Sequence, residues 1–137
     1  STGLSEGHEI EVVVVDEDIP TIQLDPQAIH EVVTNLVRNA IEAGEDKPVH
    51  VRVTVGRSKK HPGLILLVED DGPGLPESTR ESLFDPFVTS KKDGTGLGLA
   101  VTRKIIEGHE GAIEVDTGEL GGARFKIYLP LAHDSFD

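Results

Sequence analysis

The sequence of 137 residues contains no cysteine and no methionine. The lack of cysteine excludes disulfide bonds, thiolate zinc sites and cysteine nucleophiles. A chain that begins at Ser1 and has no methionine is expected to be a fragment of a longer protein. Long apolar runs are also missing, since none approaches the roughly 20 residues of a membrane-spanning helix, and the N-terminal segment lacks a signal-peptide pattern. We therefore expect a soluble, cytoplasmic domain, whose parent protein is free to be membrane-anchored.

Positive charge is scarce as well. The chain has 13 lysines and arginines against 25 aspartates and glutamates, a formal net charge of −12. A strongly acidic surface repels phosphate groups, so nucleic acid is not an expected partner. A polyanionic ligand would have to be held by local hydrogen-bond donors and a divalent cation.

The hydrophobic share of 36% is sufficient for one core, so residues 1–137 are expected to form a single domain. Strands are predicted at residues 9–15 and 49–55 from period-two alternation, at 64–68 from a continuous apolar run, and at 21–24, 112–116 and 123–129 from short runs beside turns. Helical spacing predicts helices at residues 27–43 and 97–107, with a helical turn near 77–83. Residues 72–98 form a long connection rich in glycine and proline, which is expected to be functional. This order of elements predicts a two-layer α/β sandwich.

Asn35 and Asn39 lie four residues apart on the first predicted helix, so their side chains project from one face. A solvated outer face would explain such a polar row. Asparagine is, however, a weaker helix former than the lysine or glutamate usually placed on such a face. Amide oxygens are ligands that suit Mg²⁺. The pair is therefore a candidate metal site, with the solvated face as the alternative.

Asp70 begins the segment Asp-Asp-Gly-Pro-Gly, directly after a continuous apolar strand. A tight acidic turn is the simplest explanation of such a segment. A buried carboxylate at a strand end can also accept a hydrogen bond from the exocyclic amine of an adenine ring. Gly72 and Gly74 would let the backbone approach that ring closely.

The segment Gly94–Leu99 opens the second predicted helix, so its backbone amides and the helix N-terminus form a candidate phosphate site. A flexible hinge is the alternative. The segment is not a dinucleotide fingerprint, because that motif requires glycine or alanine where Leu99 stands. No P-loop motif occurs in the chain either.

Taken together, the three segments resemble, in their order, the ATPase domain shared by histidine kinases, DNA gyrase and Hsp90. Residues 83–91 (LFDPFVTSK) are similar to the phenylalanine box of sensor histidine kinases, and residues 121–125 are similar to their last glycine box. The likeness covers residues 10–131 and is nearest to nitrogen-regulation kinases. It implies an α+β fold in which a mixed sheet of about five strands packs on about three helices, with a long ATP lid.

The resemblance also implies roles for individual residues, with ATP and Mg²⁺ as cofactors. Asn39 would hold Mg²⁺ and Asp70 would bind the adenine amine. The residues implied in catalysis are Asn35, Asn39, Lys91 and Thr95. The residues implied in nucleotide binding are Asn35, Asn39, Asp70, Gly72, Gly74, Phe84, Phe87, Lys91, Gly94, Thr95, Gly96, Leu97, Gly98 and Leu99.

Two positions depart from the family pattern. Asp71 stands where these kinases usually have asparagine, which adds a charge beside the adenine site. Glu42 stands where several members carry a lysine that reaches the phosphates, and Arg38 is a candidate substitute. The implied phosphate contact at Glu42 is therefore in doubt.

The residue type at position 35 separates phosphoryl transfer from hydrolysis. Hydrolases of the superfamily have a glutamate there, and an amide cannot act as a general base toward water. Phosphoryl transfer to a side chain depends mainly on positioning and on charge neutralisation. ATP bound here is thus expected to hydrolyse slowly. Glu31, one helical turn earlier, is an alternative base.

None of the six histidines lies in a segment typical of a phosphoacceptor, and each is expected to be structural or solvated. We therefore expect the chain to donate the γ-phosphoryl group to a histidine on a separate dimerisation domain, from which it passes to a response regulator. The fragment is expected to be monomeric and the parent kinase a homodimer. The alternatives are a nucleotide-binding regulatory module, such as an anti-sigma factor or a degenerate kinase, and a self-sufficient ATPase.

Overall fold

The computed structural model describes residues 7–16, 22–45, 47–80, 82–85 and 98–131. These residues form five strands and three helices in an α+β arrangement, as expected. In chain order the elements are β1 (Glu9–Val14), α1 (Pro26–Ala43), β2 (His50–Arg57), β3 (Gly63–Asp70), α2 (Glu77–Arg80), α3 (Gly98–Gly108), β4 (Ala112–Thr117) and β5 (Ala123–Pro130).

The five strands form one mixed sheet in the order β1-β2-β3-β5-β4. β1 runs parallel to β2, and the other neighbouring pairs are antiparallel. β2 and β3 are antiparallel neighbours joined as a hairpin. Because β5 pairs with β3, the turn before β5 is brought to the end of β3 that carries Asp70.

One face of the sheet is covered by helices. α1 packs against β3 and α3, and α3 packs against β4. Side chains alternate along each strand, so Leu66 and Val68 of β3 point into this layer together with Phe125 and Ile127 of β5. Burying one such aliphatic or aromatic side chain stabilises a fold by about 1.5–3 kcal/mol, so this layer is the hydrophobic core.

The bounds of α1 follow from local signals. Asp25 is the N-cap, and its Oδ1 accepts hydrogen bonds from the backbone N–H groups of Gln27 (3.0 Å) and Ala28 (3.4 Å). Pro26 occupies the first turn, where its missing N–H has no cost. Gly44 caps the C-terminus, so both predicted ends of this helix are confirmed.

A histidine fastens the start of α1 to the end of α3. His109 Nδ1 lies 2.8 Å from the carbonyl oxygen of Ile105, and its Nε2 accepts from the backbone N–H of Asp25 at 3.0 Å. Both ring nitrogens are thereby used inside the fold. His109 is a structural residue, as expected.

The strand predicted at residues 21–24 is wrong for the three of these residues that the structure describes. Ile22 and Leu24 have no strand conformation, although both pack as partly buried side chains against the core. They stand directly before the N-cap Asp25, and no described strand pairs with them. Their apolar character therefore reflects core packing without ladder hydrogen bonds.

The second face of the sheet carries a row of charges in register across all five strands. Paired positions place Glu11, Arg52, Glu69, Arg124 and Asp116 side by side, alternating in sign. Arg52 Nε lies 3.4 Å from Glu11 Oε1, and Arg124 binds both oxygens of Asp116 at 2.9 and 2.8 Å. Alternating cross-strand pairs of this kind favour one register of the sheet.

α1 is an 18-residue helix whose exposed face carries charged side chains. None of the described helices combines the length and the apolar character needed to span a bilayer.

Candidate nucleotide-binding site

Asp70 is the last residue of β3 and lies opposite Val51 of β2, so it shares the helix-covered face with the core. Only 5% of the residue is exposed. Burial raises the pKa of the carboxyl, and backbone hydrogen bonds from Gly72 and Ala123 oppose that rise. Asp70 Oδ1 accepts from the Gly72 N–H at 2.8 Å. An ionised carboxylate has about four acceptor positions, so capacity remains for a donor on a ligand.

Two backbone segments rich in glycine enclose Asp70. The N–H of Gly122, in the turn between β4 and β5, donates to the carbonyl oxygen of Asp70 at 3.0 Å. A Cβ on Gly122 would overlap Oδ1 of Asp70, so only glycine fits there. Gly74 has a φ of +78°, and a Cβ added there would lie 3.8 Å from atoms of Gly121 and Gly122. The loop after β3 and the β4–β5 turn therefore form two walls beside the carboxylate.

Asp71 is directed away from this enclosure. Its Oδ1 accepts from the backbone N–H of His50 at 2.9 Å, and its own N–H donates to the carbonyl oxygen of His50 at 3.2 Å. The charge that departs from the family pattern is thus used to hold the end of β3 against the start of β2. The negative charge of Asp71 also contributes to the raised pKa of Asp70, after the larger effect of burial.

Glu69 is a residue that sequence reasoning missed. It points to the second face of the sheet, is only 3% exposed, and its Oε1 accepts from the backbone N–H of Glu119 at 3.1 Å. This bond ties β3 to the same turn whose Gly122 contacts Asp70. Strand alternation alone would have suggested a solvated glutamate, because the turn that buries it lies 50 positions further along the chain.

Asn35 and Asn39 are half-buried on α1, at the flank of the buried stripe formed by Val32, Leu36 and Ala40. They do not lie on a fully solvated face, since that face carries the exposed Glu31 and Arg38. α1 packs on β3, the strand that ends in Asp70. The two asparagines and Asp70 therefore belong to the same side of the sheet.

Phe84 is almost fully buried and packs edge-to-face on Phe125 of β5, with ring centroids 6.1 Å apart and an interplanar angle of 80°. Such aromatic pairs contribute about 0.5–1.5 kcal/mol beyond area burial. The contact fastens the segment after α2 to the core. Phe84, which the resemblance implies in nucleotide binding, is thus part of the hydrophobic core.

α3 begins at Gly98, the last glycine of the glycine segment. The hydroxyl of the buried Thr102 donates to the Gly98 carbonyl oxygen at 2.9 Å, and Leu99 packs against the core. The remaining predicted residues of the lid lie outside the described residues. These are Phe87, Lys91, Gly94, Thr95, Gly96 and Leu97.

The donor set can be tested against the implied cofactors. Among the described residues, no group of three histidine, cysteine or acidic side chains could hold a metal ion. Mg²⁺ in nucleotide sites is usually bound by one or two protein oxygens together with phosphate oxygens, and an asparagine amide can supply such an oxygen. The residues that are present fit Mg²⁺ carried by a nucleotide and do not form an all-protein metal site.

Comparison with known proteins gives a consistent result. The family described as histidine kinase-, DNA gyrase B- and HSP90-like ATPase matches residues 24–133. The chain is 40% identical over 117 residues to the sensor histidine kinase ZraS of Escherichia coli O157:H7, which covers 85% of this chain and 25% of ZraS. It is 37% identical over 125 residues to the nitrogen regulation protein NtrY of Azorhizobium caulinodans, covering 85% of this chain and 16% of NtrY.

The chain therefore spans a quarter or less of these two relatives. Among solved structures, the catalytic domain of the histidine kinase ThkA superposes with a TM-score of 0.78 at 34% identity, covering 92% of this chain and 80% of that one. The expected resemblance to sensor histidine kinases is confirmed, and a nitrogen regulation protein is among the relatives. The chain belongs to the family of histidine kinase-, DNA gyrase B- and HSP90-like ATPases, and within it to the catalytic domains of sensor histidine kinases.

Proposed function

We propose that this chain binds Mg·ATP with the adenine ring at Asp70, where the loop after β3 meets the β4–β5 turn. The observation that carries the proposal is the buried Asp70, with acceptor capacity to spare and a position at Gly122 where a Cβ would overlap its carboxylate. A buried carboxylate without a further donor is costly, and the exocyclic amine of adenine supplies one. Asp70 would then recognise the adenine ring through one charge-assisted hydrogen bond, and the backbone at Gly72 and Gly74 would lie close to the ring.

The phosphates would extend from the adenine pocket toward α1 and the start of α3. Asn39 would offer its amide oxygen to Mg²⁺, and Asn35 would contribute beside it. Lys91, Thr95 and the glycine segment would cover the phosphates. When bound, Mg²⁺ neutralises phosphate charge and so lets an acidic domain hold a polyanion.

In its parent protein, the domain would pass the γ-phosphoryl group to a histidine on a dimerisation domain. Several observations support this assignment. The relatives are named sensor histidine kinases, and the chain spans only a part of each. The ring of His50 binds Glu11 on the face of the sheet opposite to Asp70, and His109 uses both of its ring nitrogens within the fold. Position 35 is an amide, which cannot deprotonate water.

On this proposal, residues 1–137 are one ATPase domain of a homodimeric kinase. That kinase would pass the phosphoryl group on to the aspartate of a response regulator. The second candidate function is a self-sufficient ATPase, and the exposed carboxylate of Glu31 on α1 is the feature that favours it.

The decisive experiment mixes the chain with γ-labelled Mg·ATP and, in trans, the histidine-bearing helical hairpin of the same parent protein. Acid-labile label on the hairpin is expected, together with slow phosphate release by the chain alone. Fast release that is lost in Glu31→Gln would instead establish an ATPase. No label on a hairpin that another kinase can phosphorylate would contradict the kinase assignment.

Asn39→Ala tests the proposed metal ligand. We expect nucleotide affinity to become nearly independent of magnesium, while the thermal unfolding temperature stays close to that of the unaltered chain. Lys104→Ala, on the exposed side of α3, is the control and should keep the magnesium dependence. Calorimetric titrations with and without Mg²⁺ measure both.

A further inference from the structure

The second face of the sheet has an apolar groove beside the β2–β3 hairpin. The groove has a volume of about 580 Å³, and its floor is formed by Val15, Ile65 and Leu67. Val15 is 59% exposed, and Ile65 and Leu67 are partly exposed. No described helix covers this side of the sheet, whereas the opposite side is covered by α1 and α3. Apolar sheet surface is normally buried against another element, so this floor has room for one more layer.

The rim of the groove has a charge opposite to that of the chain. Five of its charged residues are basic, although the chain as a whole has a net charge of −12. Arg57, Lys59, Lys60 and Lys126 form no ion pair with any described residue, while the fifth, Arg124, is already bound to Asp116. The groove is therefore a local concentration of positive charge beside an apolar floor.

One wall of the groove is rigidly built. Gly56 of β2 lies so close to Val15 and Asp16 that a Cβ would come within 2.7 Å of Val15 Cγ2 and 2.8 Å of Asp16 Oδ2. Asp16 Oδ2 also accepts from the backbone N–H of Arg57 at 2.7 Å. The end of β1 is thus fastened against the start of the hairpin. The single acidic residue of the rim, Asp16, is held in this contact, which leaves the rim with five basic residues against one acidic residue.

We propose that this groove, defined by the floor and rim above, docks an acidic amphipathic helix of a partner protein. The apolar stripe of the helix would lie on Val15, Ile65 and Leu67, and its acidic flanks would face the four unpaired cations. A helix laid in an apolar groove is a recurrent recognition mode, and charge complementarity would select acidic partners.

The negative charge of the rest of the domain favours a single acidic helix as the occupant over a membrane or a second copy of the chain. An extended anionic surface such as a membrane would be brought against the acidic domain around the groove, whereas a single helix meets the groove alone. A second copy of the chain would bring one body of charge −12 against another. The groove lies on the opposite face of the sheet from Asp70, so this inference does not depend on nucleotide binding.

The test uses the full chain and a fluorescein-labelled helical peptide of about 18 residues, with leucine at helical spacing on one face and glutamate on its flanks. The same peptide with lysine in place of glutamate is the charge control. Binding is followed by fluorescence anisotropy at two salt concentrations. Amide shifts of the ¹⁵N-labelled chain locate the site, with movement expected at Gly56, Ile65, Leu67 and Lys126 and not in α1.

Two double variants of equal charge change separate the groove from general electrostatics. Lys59→Glu/Lys60→Glu should raise the dissociation constant for the acidic peptide at least tenfold, as the rim loses and reverses two charges. Lys47→Glu/Lys104→Glu, at exposed positions away from the groove, should change it less than about twofold. Equal losses in the two variants would show a non-specific charge effect and overturn the proposal.

Three further results would also overturn it. The first is no binding of the acidic peptide by the unaltered chain. The second is binding to phosphatidylserine vesicles that is tighter than binding to the peptide, which would make the surface a lipid site. The third is concentration-dependent dimerisation in sedimentation velocity that Lys59→Glu/Lys60→Glu abolishes, which would assign the groove to a second copy.

Discussion

Two neighbouring carboxylates at the end of β3 lie in different environments, because they point to opposite faces of the sheet. Asp70 lies on the helix-covered face and Glu69 on the open face, and both are almost completely buried. Glu69 is set in a row with Arg52 and Arg124 and accepts from the backbone of Glu119. Asp70 has no arginine or lysine as its paired neighbour, and burial raises its pKa. The carboxylate of Glu69 thus has its partners within the fold, whereas that of Asp70 can still accept a hydrogen bond from a ligand.

Both residues bind the same turn from opposite sides of the sheet. Glu69 accepts from the Glu119 N–H, and the carbonyl oxygen of Asp70 accepts from the Gly122 N–H. The open face therefore supports the wall of the pocket on the covered face. If this comparison is right, changes at Glu69 should act mainly on stability and changes at Asp70 mainly on ligand binding.

The largest expected effect is on nucleotide affinity in Asp70→Asn. Loss of one charge-assisted hydrogen bond to the adenine amine should weaken ATP binding tenfold to a hundredfold, which corresponds to roughly 1.4–2.7 kcal/mol. Asp71→Asn is the matched control, because it keeps an oxygen that can accept from the His50 N–H, and should change affinity less than about threefold. Isothermal titration calorimetry measures both. Unchanged affinity in Asp70→Asn would place adenine elsewhere.

The next effect concerns stability. Glu69→Ala removes the acceptor of the Glu119 N–H and leaves two arginines of the charged row without their central partner. We expect a loss of about 1–3 kcal/mol in the free energy of unfolding, measured by urea denaturation. Glu69→Gln keeps an acceptor oxygen and should recover most of the loss. If glutamine were no better than alanine, the hydrogen bond to the turn would not be what Glu69 contributes.

A smaller effect is expected in the pH dependence of stability. The pKa of Asp70 is raised above its ordinary value of 3.8, so between that value and the raised one the folded state binds more protons than the unfolded state. By linkage, the unaltered chain should gain stability relative to Asp70→Asn as the pH falls from neutral toward 3.8. Unfolding free energies of the two proteins at several pH values test this difference.

Nucleotide binding should change in the opposite direction over the same pH range. Protonation of Asp70 removes the charged acceptor, so ATP affinity of the unaltered chain should fall with decreasing pH, beyond the fall seen in Asp70→Asn. A parallel decline in both proteins would mean that another group controls binding.

The smallest effect is expected at the outer end of the charged row. Arg124 and Asp116 form a bidentate pair, but both side chains are partly exposed. Arg124→Lys should therefore cost less than about 1 kcal/mol, and added salt should reduce the difference. Denaturation at low and high ionic strength measures it. A cost as large as that of Glu69→Ala would mean that the row acts as one cooperative unit.

Much of this molecule was predictable from local patterns. The apolar spacing of α1, its Asp25-Pro26 start and Gly44 end, and the alternation of the five strands follow from periods of 3.6 and 2 and from capping chemistry, which act over a few residues. The three glycine and asparagine segments could be interpreted in the same way, because each combines a residue type with a position on one helix face or at the end of an element. The family assignment rested on those segments and is confirmed.

The partners of the acidic triplet were decided only by the tertiary structure. Glu69, Asp70 and Asp71 are consecutive, yet they accept hydrogen bonds from Glu119, Gly72 and His50 respectively. Two of these bonds span 50 and 21 positions. They depend on the strand order β1-β2-β3-β5-β4 and on its register, which periodicity does not specify. The wrong strand prediction at Ile22 and Leu24 has the same cause. Their apolar pattern is visible in the local sequence, but whether a partner strand lies beside them depends on the tertiary structure.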